Sequence, residues 1–189
     1  MRKLRILLAS LLFAATASFS PKAPAQVPAS DWHAKLAQQL PLLGHRNWIL
    51  VVDSAYPLQV SPGVEVIETG ADPLVVIPTV LNALVRSIHV TPNVYLDAEL
   101  PYVPQQNFPG LDAYRDRLKK MLESSHVQSL PHEQLIAKVS EAGKDFRVLV
   151  LKTNMAMPYT SVFLQLDCKY WGPEDEQKLR QAMKASSPK

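Results

Sequence analysis

Four residues combine type and placement in a way that could do chemistry. His45 precedes and Asp53 follows the apolar run Trp48 to Val52, while Tyr159 and Ser161 lie where the polar loop Lys152 to Pro158 enters a second apolar run. A histidine near its ordinary pKa of about 6.5 gives or takes a proton at neutral pH. A carboxylate and a hydroxyl hold polar groups by hydrogen bonds, and a tyrosine ring adds an apolar face. Three of them also have a plainer reading: His45 as a surface or hydrogen-bonded loop histidine, Asp53 as an Asx cap on the next turn, Tyr159 as core filler.

Other chemistries find little support. The six glycines are scattered and form no phosphate-cradling fingerprint. No Gly-x-Ser-x-Gly elbow is present. His33, His45, His89, His126 and His132 never fall at metal-ligand spacing, which leaves only a zinc site assembled from distant residues. Cys168 is the sole cysteine, so no intramolecular disulfide forms, and its place in an apolar run favours an inert thiol.

The elements that must position these groups read as alternating helices and strands. Asp31 caps a helix through Trp32, Leu36 and Leu40, and Trp48 to Val52 is a buried central strand. Asp72-Pro73 starts a second helix along Val76, Val80, Leu84 and Ile88, with Pro78 predicting a broken or kinked first turn. Asn93 to Leu96 is a short strand. Leu111, Tyr114, Leu118 and Leu122 mark a helix with Arg115, Arg117 and Lys119 on its wet side. Pro131 opens a helix that Gly143 is placed to end, and strands follow at Phe146 to Leu151 and Tyr159 to Leu166. A last helix begins after Gly172, acidic first and basic later, as the helix dipole favours. This pattern predicts an α/β domain with a mixed sheet, its last two strands paired antiparallel across their short link.

The charge is +3 from 20 Lys and Arg against 17 Asp and Glu. Arg2, Lys3, Arg5 and Lys22 fall in the first 25 residues, which hold no acid; without them 16 basic residues face 17 acidic ones. The basic excess therefore belongs to the leader, and the remainder has no polyanion-binding bias, so no nucleic-acid partner is expected. A charged start, the twelve-residue apolar run Ile6 to Ala17 and small residues up to Ala25 form the layout of a secretory signal peptide. That run is shorter than the roughly 20 residues of a membrane-spanning helix, so cleavage after Ala25 with no stable membrane insertion afterwards is expected, an uncleaved N-terminal anchor being the alternative. The expected organisation is a signal peptide at 1–25, a spacer at 26–30 and one domain at 31–189, exported to a periplasm or secreted.

Taken together, Leu43-Gly44-His45, Asp53-Ser54-Ala55-Tyr56-Pro57, Pro131-His132-Glu133 and Pro158-Tyr159 resemble the RbsD/FucU family of D-ribose pyranases and L-fucose mutarotases, over about Asp31 to Leu166. The resemblance implies a single-domain, three-layer α/β/α fold with a mixed central sheet. It implies an isomerase that interconverts ring forms or anomers of a monosaccharide by acid/base catalysis without cofactor or metal, with a non-catalytic sugar-binding protein as the alternative. His45 matches the proton donor, and Asp53, His132, Tyr159 and Ser161 match positions that contact the sugar. The family's rings, a decamer being one form, imply a homo-oligomer with pockets shared between subunits, for which Arg46 and Trp48 are interface candidates. Two positions depart from the family: Asn47 where an aspartate is common, and Tyr159-Thr160-Ser161 where Tyr-Ala-Asn is frequent.

Overall fold

The computed structural model describes residues 31–186. The expected signal peptide and spacer, residues 1–30, lie outside the described residues. Asp31 caps α1 (Trp32–Gln39) by accepting the Ala34 N–H at 3.1 Å, and α1 buries Trp32 and Leu36, one turn apart. All five residues of β1 (Trp48–Val52) are buried. β2 (Val64–Glu68) follows, and Asp72 then caps α2 (Pro73–Arg86) through the Leu74 N–H at 2.7 Å.

Pro78 does not break α2. A proline inside a helix costs about 3 kcal/mol, but Val76, Ile77, Val80 and Leu84 are all buried on the sheet, each contributing about 1.5–3 kcal/mol on full burial of its side chain. Packing on both sides of the proline therefore holds one continuous helix.

The chain continues through β3 (Val90–Asp97), α3 (Leu111–Met121), β4 (Val127–Leu130), α4 (His132–Asp145), β5 (Val148–Lys152), β6 (Val162–Cys168) and α5 (Pro173–Ala185). Gly143 lies within α4 rather than ending it, because β2 packs there: a Cβ on Gly143 would sit 2.8 Å from Val64 Cγ2. Arg115 is also not simply solvated. Its guanidinium donates to the carbonyls of Leu100 and Val103, the latter at 2.6 Å, and clamps the loop before α3.

The sheet order is β2-β5-β1-β6-β3-β4. β5 and β6 run in opposite directions but do not pair, since β1 lies between them: Val51 faces Leu151 of β5 in parallel and Val162 of β6 in antiparallel register. β6 is antiparallel to both neighbours, and the other five strands share one direction. The carboxyl ends of β1, β3, β4 and β5 thus lie at the same end of the sheet as the amino end of β6. Alternation along the strands splits the core between two faces. Ile49, Val51, Leu149, Leu151 and Leu164 meet α1, α2 and α3, while Trp48, Leu50, Val148, Val150 and Phe163 meet α4. The result is the expected three-layer α/β/α arrangement. α5 buries no residue.

Candidate functional site

Open sheets of parallel strands present functional groups at their carboxyl ends, where loops rather than neighbouring backbone surround the side chains. Asp53 leaves β1 there. Its Oδ1 accepts the Ala55 N–H at 2.8 Å, the predicted Asx turn, and its Oδ2 accepts from the Ser161 hydroxyl at 3.3 Å. One oxygen of Asp53 thus makes the predicted Asx turn, and the other meets Ser161. Ser161 is only 1% exposed, with its hydroxyl turned to Asp53.

β3 ends at the same place with Asp97, 1% exposed. Its Oδ1 lies 3.0 Å from Nδ1 of His132, the first residue of α4, and its Oδ2 is buried without a hydrogen-bond partner among the described residues. Burial drives the Asp97 carboxyl above the ordinary aspartate range; His132 opposes this, while Glu99 and Asp53 reinforce it. Glu99 accepts the His132 backbone N–H at 3.0 and 3.1 Å and so caps α4. With Nδ1 committed to Asp97, Nε2 of His132 has no partner among the described residues and is available to a ligand.

Tyr159 closes this group. Its ring meets His132 edge to face at 5.5 Å between centroids, and 36% of the residue is exposed. It adopts a φ of 59°, a left-handed conformation that costs a non-glycine residue about 1–2 kcal/mol. Neighbours hold it: the Tyr114 hydroxyl of α3 donates to the Thr160 carbonyl at 2.6 Å, and the Thr160 hydroxyl to the Met157 carbonyl at 2.9 Å. The turn delays β6 to Val162, later than Tyr159. A cleft of 300 Å³ runs beside Tyr159, walled by Glu99, Tyr102 and Phe108. Beneath the group, Tyr56 is kept protonated by burial and then by the charges of Asp97 and Asp53.

His45 lies at the other end of the sheet. It precedes β1, and its Nδ1 meets Oδ1 of Asp167, next to last in β6, at 2.7 Å. Ser161 and Asp167 bracket six residue steps of β6, a span of about 20 Å. Asp53, His132, Tyr159 and Ser161 come together within one copy, and His45 does not join them. Arg46 beside it has a φ of 71° and a solvent-exposed side chain, whereas Trp48 is 2% exposed, packs on Tyr95 and is unavailable to a subunit interface. Asn47 closes the turn before β1: its Oδ1 accepts the Gly44 N–H at 2.6 Å and its Nδ2 donates to the Arg147 carbonyl at 3.3 Å. The second bond needs an amide and is denied to an aspartate.

Sequence reasoning missed Asp97 and Glu99. The signal was weak, since Asp97 ends β3, whose first half is mostly polar or half-exposed, whereas Asp53 follows the wholly apolar β1. Among the described residues, no three His, Cys, Asp or Glu side chains gather as a metal site.

Bacillus subtilis RbsD complexed with D-ribose superposes with a TM-score of 0.51 at 17% identity, over 71% of this chain and 92% of that one. The fucose mutarotase of Streptococcus pneumoniae in complex with L-fucose gives 0.49 at 17% identity, over 70% and 91%. FucU from Bifidobacterium longum gives 0.49 at 15%, over 71% and 94%. At 17% identity the likeness to Bacillus subtilis RbsD is one of fold. No curated protein matches the chain in sequence. The model of the RbsD / FucU transport protein family matches residues 32–168, the span from α1 through β6 that builds both ends of the sheet, and the chain belongs to that family.

Proposed function

We propose that the protein is a cofactor-independent mutarotase or pyranase for a reducing monosaccharide such as ribose or fucose. The observation that carries this reading is the convergence of Asp53, His132 and Tyr159, backed by Ser161 and Asp97, at the strand carboxyl ends. Family membership and the D-ribose bound to Bacillus subtilis RbsD support a sugar ligand.

Ring opening requires a base to take the proton from the anomeric hydroxyl while an acid protonates the ring oxygen. The bond from C1 to the ring oxygen breaks, its electron pair stays on that oxygen, and a carbonyl forms at C1. Closure on the other face, or by another hydroxyl, gives the other anomer or ring size. Nε2 of His132 is suited to one transfer and Asp53 to holding a hydroxyl. Proton transfer demands hydrogen-bond reach, and His45 lies about 20 Å away along β6. His45 therefore serves as acid only where the His45 end of one copy meets the Asp53 end of another, a head-to-tail contact of the kind that closes into rings. The working form in this reading is an exported oligomer whose leader has been removed after Ala25.

Saturation-transfer NMR on D-ribose and L-fucose tests the reading. Wild type is expected to accelerate exchange, with His45→Ala and His132→Ala each losing the acceleration. Calorimetric binding by a wild type that leaves exchange at the solution rate would instead establish the sugar-binding alternative, to which Ser161, withdrawn behind Asp53, and Asn47, spent on its turn, already lend weight.

A further inference from the structure

Beyond the family-matched span, the chain turns through Lys169 to Gly172 and adds α5, and this addition stands against His45. His45, Asp167, Tyr170, Trp171 and Glu176 line a cleft of 580 Å³, about twice the volume beside Tyr159. Of the three tryptophans, Trp32 and Trp48 are 5% and 2% exposed, whereas Trp171 is 43% exposed and Tyr170 beside it 74%. Large aromatic surface left in water next to a titratable dyad is not explained by packing, since α5 buries nothing.

The cleft is also built. The Trp171 indole donates to Glu176 Oε2 at 2.9 Å, and Arg180 holds the other oxygen of that carboxylate at 2.6 Å. Lys169 fastens the turn to the end of α2 by donating to the carbonyls of Val85 and Ser87 at 2.9 and 2.7 Å. On the opposite wall, Asp167 Oδ1 accepts the Cys168 N–H at 2.7 Å as well as meeting Nδ1 of His45. That arrangement orients the imidazole and leaves its Nε2 without a partner among the described residues. A fixed indole beside carboxylate acceptors, with a second aromatic ring next to it, suits an uncharged polyol with an apolar ring face.

Resting on the mutarotase reading above, we propose that Trp171 and Tyr170 form an aromatic platform that stacks on the sugar presented to His45, and that Asp167 is the positioning residue for that histidine. The platform lies outside residues 32–168 and is this chain's own contribution to substrate choice.

The test measures exchange rate against D-ribose and L-fucose concentration for the mature chain. Trp171→Ala is expected to raise KM about tenfold, one stacking contact's worth, with the larger part of its loss in KM and with Trp171→Phe restoring most of it. Asp167→Asn is expected to lower kcat about tenfold with KM nearly unchanged. Acrylamide quenching supplies a readout apart from catalysis: saturating sugar should shield the exposed indole in wild type and in Asp167→Asn. An active wild type whose KM is indifferent to Trp171→Ala overturns the platform, and unchanged kcat in Asp167→Asn overturns the positioning role. A wild type that shields Trp171 but does not catalyse keeps the platform and refutes the mutarotase reading; one that neither shields nor catalyses overturns both.

Discussion

Nδ1 of His132 lies 3.0 Å from one oxygen of Asp97, and the other oxygen of that carboxylate is buried with no partner among the described residues. A carboxylate so placed is costly to ionise, which is why burial raises its pKa even against the pull of the imidazole. The folded chain therefore binds this proton more tightly than the unfolded one. The associated stability is complete below the ordinary aspartate range and is lost as pH rises through the raised native value. Asp97→Asn retains the shape without the titration, so its thermal midpoint should gain on wild type as pH increases from about 4 to about 7. Its exchange activity should fall at least tenfold, since a neutral amide holds the His132 ring by a weaker hydrogen bond than a carboxylate does and orients it less firmly. Midpoints that stay parallel at every pH would refute the assignment.

The two histidines divide between the ends of the sheet, and this makes a mixing experiment decisive. His45→Ala and His132→Ala chains, each inactive alone, should regain activity when unfolded together and reassembled. Wherever a copy with intact His45 abuts one with intact His132, a complete pocket forms, and random assembly makes about a quarter of head-to-tail contacts complete. Rates at that level, read by saturation-transfer NMR, would place one pocket across two copies. No recovery in oligomers shown to be mixed would remove His45 from the pocket.

The sequence made the buried strands visible and the edge strands obscure. β1, β5 and β6 are nearly continuous apolar runs, a pattern that follows from burial on both faces. β2 and β4 each have one partner and half-exposed side chains, so Val-Glu-Val-Ile-Glu and Val-Gln-Ser-Leu carry little signal above a loop. Strand order was harder still: the short link between β5 and β6 suggested a hairpin, and only contacts distant in sequence seat β1 between them. Asp53, Tyr159 and Ser161 were legible because polar groups at the ends of buried strands stand out. Asp97 stood out less because β3, Val-Thr-Pro-Asn-Val-Tyr-Leu-Asp, mixes polar and half-exposed residues and makes a weaker apolar run than β1. The separation of His45 from Asp53 was implicit in the five-residue strand between them, which spans about 17 Å.

Gly63 and Gly143 show where β2 and α4 come closest. A Cβ on Gly63 would fall 2.1 Å from the Phe146 carbonyl oxygen and 2.6 Å from that of Gly143, both backbone atoms that cannot swing aside. Gly63→Ala must push the edge strand off the helix or strain the turn, and a loss of about 2–4 kcal/mol in urea unfolding is expected. Gly44, where an added Cβ would have no atom within 4 Å, is the control, and Gly44→Ala should change stability by less than about 1 kcal/mol. Equal effects at the two positions would show that β2 is not held as described.

Asn47 tests whether the turn carrying His45 depends on an amide. Its Nδ2 donates to the Arg147 carbonyl at 3.3 Å while its Oδ1 accepts the Gly44 N–H at 2.6 Å, tying the entry of β1 to that of β5. Asn47→Asp preserves the second bond and sets a carboxylate oxygen against the carbonyl in place of the first. The partly exposed site limits the penalty to about 1 kcal/mol at neutral pH, and the penalty should shrink below about pH 4, where the new carboxyl is protonated and can donate. Because Gly44 immediately precedes His45, loosening this turn should also lower the exchange rate more than it weakens sugar binding. A variant as stable as wild type at pH 7, with unaltered exchange, would show that the amide is incidental and that the aspartate common in the family is compatible with this turn.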